Sequence, residues 1–170
     1  AMLPVIAGAA AQAALAAIGV ANVRLKWPND ILVDGRKLAG LIVYARHGAT
    51  NWVTVGLGVN LDTTPVIKDR DALPSTSVSE HVDSGTPDSW KQDIACHFVD
   101  ELSKMLDNPA SAIETWQGLL LQRPGDTVSI RLASGQMVTG TLVGLSDEGF
   151  LRIDENGTER VISGGDIIET

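Results

Sequence analysis

Lys26-Trp27-Pro28-Asn29-Asp30, followed shortly by Lys37-Leu38-Ala39-Gly40, concentrates ammonium, carboxamide and carboxylate groups in one short stretch. A fixed ammonium can stabilise negative charge developing on oxygen, provided water is kept away. A carboxamide donates and accepts hydrogen bonds at once. Asn29, Asp30 and Lys37 are therefore the first candidates for chemistry, and Gly40 leaves room for backbone to approach closely. A second cluster, Gly56-Leu57-Gly58-Val59-Asn60, pairs two glycines with another carboxamide. It is not a dinucleotide fingerprint, because Leu61 stands where the third glycine belongs. No Walker-type phosphate loop is present either.

The elements that must position these groups can be read locally. Val23 to Trp27 alternates like a strand, and Pro28 ends that ladder because it has no N–H to donate. Asn29 and Asp30 stand at the break. Asp34-Gly35 suits a tight primed turn, so residues 29 to 47 read as a hairpin that returns Lys37 to the side of Asn29 and Asp30. Leu38 to Tyr44 and Val53 to Val59 have the aliphatic, β-branched character of sheet strands.

Together these motifs resemble biotin–protein ligases. Trp52 to Leu61 is similar to that family's next strand and its Gly-x-Gly-x-Asn element. The resemblance implies ATP-dependent formation of biotinyl-5′-AMP, then transfer of biotin to a lysine of a biotin carboxyl carrier domain. It implies that Lys37 is the catalytic cation on the biotin carboxyl or acyl-phosphate oxygens, with Gly40, Gly56 and Gly58 lining the biotinyl-adenylate site. It assigns Asn29, Asp30 and Asn60 to the nucleotide, whose adenine edge offers neighbouring donor and acceptor positions. Asp30 would orient Lys37 or the water shell of Mg²⁺, which arrives with ATP as the substrate complex. The loop from Asp62 to Ser77, with Lys68-Asp69-Arg70-Asp71 inside it, is similar to the segment that orders over the adenylate in this family. A plain connector fits the same residues.

Two departures from the family stand out. The Gly-Arg-Gly-Arg-x-Gly-Arg loop and the biotin-ring residues that precede the first helix in a complete ligase are missing. The only Gly-Arg step, Gly35-Arg36, belongs to the hairpin. The expectation is a chain that starts inside the catalytic domain and is inactive alone. Its apolar faces and unpaired edges would invite a partner segment or a second copy. Tyr44 stands where many relatives carry glutamate, with no consequence to assign. A non-catalytic interaction module and a lipoate-type ligase are the alternatives. The C-terminal segment and Lys26–Asp30 point to biotin.

The chain has 170 residues, 44% apolar and 20% charged, the composition of a globular protein. Its net charge of −8 argues against a general binder of phosphate backbones, so nucleic acid is not an expected partner. Cys96 is the single cysteine, so no intrachain disulfide can form, as suits a cytoplasmic protein. It lacks an activating basic neighbour other than His97. His47, His81 and His97 have no metal-ligand spacing, so no dedicated metal site is expected.

No charged residue occurs between Ala1 and Val23, but alanine and glycine dominate there and no basic region precedes them. Leu3 to Ile18 reads as a helix buried in a protein core, with Pro4 in its first turn and Gly19 past its end. A membrane role is not expected. Further on, Trp90, Ile94, Phe98, Leu102 and Met105 form one helical stripe. Asp88 is a candidate cap for that helix, Pro109 its break, and Ser111 to Leu121 a second helix with Trp116 and Leu120 on one side.

From Asp126 the pattern changes to short strands separated by Ser134-Gly135, Asp147-Glu148-Gly149 and Asn156-Gly157, the mark of a small barrel. The expected fold is α+β. The resemblance implies a class II synthetase-like ligase domain, a mixed sheet with helices lacking its N-terminal half, over residues 1–122. The barrel at residues 123–170 resembles the SH3-like C-terminal domain of the same family, and it should lean on the larger domain because so small a core is marginal alone.

Overall fold

A helix with apolar residues on every side has to be covered over most of its length, and α1 (Leu3–Ala17) is buried from Val5 to Ala11 and at Ala14 and Leu15. The computed structural model describes residues 2–46, 48, 50–65 and 73–168; His47 and Lys68-Asp69-Arg70-Asp71 lie outside them. Pro4 sits in the first turn of α1, and Gly19 follows its end with φ 95°. The small residues of α1 let its neighbours come close. The indole of Trp116 lies over Gly8, where an added Cβ would stand 2.6 Å from its ring, and its Nε1 donates to the Val5 carbonyl at 2.7 Å.

α1 packs on a four-stranded sheet made of β1 (Val23–Lys26), β2 (Asp30–Val33), β3 (Arg36–Arg46) and β4 (Trp52–Val59), in that order. All three ladders are antiparallel, and isolated parallel bridges Leu25–Leu120 and Lys37–Ser75 add to them. Asp34 (φ 49°) and Gly35 (φ 75°) both take left-handed backbone, as the primed turn joining β2 to β3 requires. Leu15, Leu25 and Ile31 are fully buried, each contributing about 1.5–3 kcal/mol. β4 pairs with β3 alone among the described residues, and Ile42 and Tyr44 are 75% and 59% exposed.

α2 (Pro87–Asp107) buries Trp90, Ile94 and Phe98, with Leu102 and Met105 partly covered, as the stripe predicts. Its cap is not Asp88 but Thr86. The Thr86 hydroxyl accepts from the Ser89 N–H, and the Ser89 hydroxyl lies 2.9 Å from the Thr86 N–H. Pro87 fixes the helix start one residue after Thr86, which leaves Asp88 inside the first turn. α3 (Pro109–Leu119) begins at the proline that ends α2, and Leu120 leaves the helix to bridge Leu25.

The second sheet is antiparallel throughout, with order β8-β7-β6-β5-β9: β5 (Thr127–Arg131), β6 (Met137–Leu145), β7 (Leu151–Glu155), β8 (Thr158–Ile162) and β9 (Asp166–Ile168). Among the described residues no ladder joins its ends β8 and β9, so the expected barrel is open in its hydrogen bonding. Ile130, Leu142, Leu151 and Ile153 fill its interior. Trp27, itself buried, donates from Nε1 to the Gly149 carbonyl at 3.4 Å, a contact between the turn after β1 and the turn before β7.

Candidate functional site

The β2–β3 ladder is regular at Val33–Arg36 and Leu32–Lys37, then slips by one residue, so that Ile31 faces Ala39 and Asp30 faces Gly40. Leu38 is the inserted residue of a β-bulge, and consecutive Leu38 and Ala39 are both buried in consequence. Bulges of this kind re-aim side chains next to sites. Here the Lys37 ammonium reaches the Asp30 carboxylate at 2.5 Å, with about one third of the lysine side chain open to solvent.

Lys37 and Asn29 border an open groove of about 650 Å³, completed by Asn60, Pro65 and Ser75. Its floor is bare backbone at Gly40, Gly58 and Gly56, where Gly40 faces Gly58 across β3 and β4, and Ile42, opposite Gly56, also lines it. A Cβ on Gly58 would come no closer than 3.9 Å to anything, and one on Gly56 no closer than 3.8 Å. Packing therefore does not demand glycine at either position. Their effect is to leave the groove empty.

The two carboxamides are not equivalent. Asn29 Nδ2 donates to the Leu41 carbonyl at 2.9 Å, which leaves one N–H and the amide oxygen for a ligand. Asn60 Nδ2 donates to the carbonyls of Thr76 (2.9 Å) and Lys37 (3.3 Å), so both its N–H groups are engaged and its oxygen remains. The expected donor-and-acceptor pairing is thus retained by Asn29, whereas Asn60 offers an acceptor. Asp30 carries the charge partner of Lys37 as a hairpin neighbour, beyond any role in capping the turn.

Residues the sequence did not single out complete the surroundings. Lys37 N–H donates to the Pro74 carbonyl (2.7 Å), and its own carbonyl accepts from Thr76 N–H (3.0 Å). Thr76 and Ser77 are fully buried polar residues. Beyond them Glu80 meets Arg36 at 2.6 Å and accepts from Thr64 at 2.5 Å. The Thr64 hydroxyl and the Arg36 guanidinium lower the Glu80 carboxyl to about 2. His81 Nε2 lies 2.8 Å from the Thr76 hydroxyl, a local structural contact.

On its other face β4 presents Val53, Val55, Leu57 and Val59 to α2, above Ile94 and Phe98, and these line a second groove of about 660 Å³. It holds one charged residue, Lys91, and no carboxamide. Cys96 is exposed on α2. Among the described residues no group of three His, Cys, Asp or Glu side chains converges to hold a metal ion, and no helix is long and apolar enough to cross a membrane.

Comparison with known proteins bears on this geometry. The profile of the biotin/lipoate A/B protein ligase family matches residues 4–60, and that of the biotin protein ligase C terminal domain matches residues 125–168. A biotin–[acetyl-CoA-carboxylase] ligase of Mycobacterium tuberculosis is 33% identical over 161 residues, covering 92% of this chain and 56% of its own length. The bifunctional ligase/repressor BirA of Escherichia coli is 24% identical over 178 residues, covering 97% and 52% respectively. The chain therefore spans about half the length of these curated relatives. In fold it is similar to the biotin protein ligase of Aquifex aeolicus solved with biotin and ATP. That match has a TM-score of 0.77 and 21% identity, covering 98% of this chain and 69% of the other.

Proposed function

Because the chain belongs to the biotin protein ligase family, we propose that it forms one wall of the active site of an ATP-dependent biotin–protein ligase. In the first half-reaction a carboxylate oxygen of biotin attacks the α-phosphorus of ATP and pyrophosphate leaves, giving biotinyl-5′-AMP. In the second, the neutral amine of a carrier-domain lysine attacks the acyl carbon, AMP leaves, and an amide forms with loss of a proton. Both steps pass through species with negative charge crowded on the oxygens of the acyl phosphate.

The observation that carries this reading is the Lys37 ammonium, held by a bulged hairpin at the rim of a glycine-floored groove. An ammonium fixed there interacts more strongly with the transition state than with the separated reactants, which lowers the barrier. Asp30 restrains Lys37 in the resting site and yields it to an incoming phosphate or carboxylate. Asn29 and the Asn60 oxygen read the adenine edge. Gly40, Gly56 and Gly58 admit the biotinyl-adenylate. ATP would enter as its Mg²⁺ complex, and the ion would supply charge neutralisation on the phosphates.

The partners proposed are biotin, ATP and the carrier domain of a carboxylase, in the cytoplasm. The open edge of β4 is the proposed seat of a further segment or a second copy. Residues 1–122 form the ligase part and 123–170 the appended part. The second sheet favours biotin over lipoate, because it resembles the C-terminal domain of the biotin enzymes.

The test is transfer of radiolabelled biotin to a carrier domain by the full-length polypeptide that carries this chain, with biotin-dependent exchange between ATP and pyrophosphate run in parallel. Both activities are expected, with lipoate inert. Failure of both in a folded protein would sink the reading in favour of an interaction module.

A further inference from the structure

We propose that Glu80 is a positioning residue for Lys37, joining Arg36 and Thr64 in a clasp that holds the segment at residues 74–78 against the Lys37 backbone; its effect on turnover rests on the ligase reading above. The bulge at Leu38 interrupts the ladder next to Lys37, and the main chain there is gripped by the segment at residues 74–76 instead. Lys37 donates to Pro74 and accepts from Thr76 and from the Asn60 amide. That segment is anchored in turn by Val78 N–H on the Asn60 carbonyl (2.8 Å) and Ser79 N–H on the Leu61 carbonyl (2.9 Å).

Glu80 closes the arrangement, because its two carboxylate oxygens reach different parts of the chain. Oε2 takes Arg36 Nη1, on the residue preceding Lys37, and Oε1 takes the Thr64 hydroxyl, beyond β4. Neighbouring strand residues project to opposite faces, so Arg36 lets Glu80 pull on the strand from behind while Lys37 faces the groove. Glu80 does not line that groove and reaches Lys37 only through the Arg36 and Thr64 side chains and the main chain they hold. Its carboxyl, lowered to about 2, stays ionised throughout the range in which an enzyme works.

Glu80→Gln keeps the shape and the acceptor for Thr64 but removes the charge that holds Arg36. In the full chain, amide hydrogen exchange at Lys37 and Thr76 is expected to quicken about three- to fivefold, the scale of one exposed ion pair. Exchange at Ile130 and Ile153 in the second sheet is expected to stay unchanged. In the biotin-transfer assay kcat is expected to fall by a similar factor, with KM for biotin and ATP moving less than about twofold. Arg36→Ala is expected to give the same loss, and the double variant no more than either alone.

Unchanged exchange at Lys37 and Thr76 would overturn the proposal, as would additive losses, or faster exchange with normal kcat. Should Glu80→Gln fail to fold, Thr64→Val removes the hydroxyl that meets Glu80 and Ser77 and is read by the same measurements. Exchange decides the clasp even if the wild-type protein transfers no biotin, which would instead remove the ligase reading.

Discussion

Lys37 and Asp30 meet at 2.5 Å across two strands that slip by one residue between them, and the slip is what turns the ammonium toward the groove. On the proposed role, replacing Lys37 by alanine would remove one charge-assisted interaction with the reacting oxygens, worth about 1.5–3 kcal/mol. Lys37→Ala is therefore expected to lower kcat/KM of the complete enzyme by roughly 10- to 100-fold or more. Pyrophosphate exchange with varied biotin reads this directly. Near-normal adenylate formation would take Lys37 out of the mechanism.

Asp30→Asn tests the partner. The amide keeps the size of the side chain but cannot restrain an ammonium by charge, so Lys37 becomes mobile without being lost. A smaller fall in kcat/KM than for Lys37→Ala is expected, with the double variant no worse than Lys37→Ala alone. Strictly additive losses would show that the two residues act independently.

Gly58→Ala separates site from scaffold. The new methyl meets nothing closer than the Gly40 carbonyl at 3.9 Å, so stability should change little, by about 0.5 kcal/mol or less. It stands on the groove floor, however, and KM for ATP or biotin is expected to rise about fivefold or more. Thermal unfolding and steady-state kinetics on the same preparation decide the matter.

Gly8→Ala should do the reverse. Its Cβ would press on the Trp116 indole at 2.6 Å, and overpacking of that kind costs about 1–3 kcal/mol. Urea unfolding is the measurement. A loss below the error of the fit would mean that α1 and α3 can separate freely.

Acid should weaken the fold partly through Glu80. Its folded carboxyl titrates near 2 and its ordinary value is 4.5, so the unfolded chain takes up the proton first as pH falls. The contribution is complete above about 4.5 and fades as the pH drops toward 2. Wild type and Glu80→Gln compared by urea unfolding between pH 6 and pH 2.5 should differ at the upper end and converge at the lower. A constant difference would contradict the assignment.

What could be read beforehand was what neighbouring residues decide. Asp34-Gly35 announces its turn because both positions need left-handed backbone, and that turn returns the strand carrying Lys37 to the side of Asp30. The stripe from Trp90 to Met105 is legible because helical packing has a period. The bulge was not foreseen, although the adjacent apolar pair Leu38-Ala39 is its one local trace. Thr86 was overlooked as a cap because Ser89, not glutamate, completes the reciprocal pair. The hold of Pro74 and Thr76 on Lys37, and of Glu80 on Thr64, joins residues far apart in sequence by polar contacts, which leave no periodic mark.

The uncovered face of β4 carries its own optical reporter. Trp27, Trp90 and Trp116 are at most 7% exposed, whereas Trp52 is 42% exposed and stacks obliquely on Tyr44, ring centres 5.6 Å apart. Iodide should quench Trp52 selectively, and whatever comes to rest on that strand should shift its emission toward the blue. Occupancy of that face can thus be followed in solution without adding a dye.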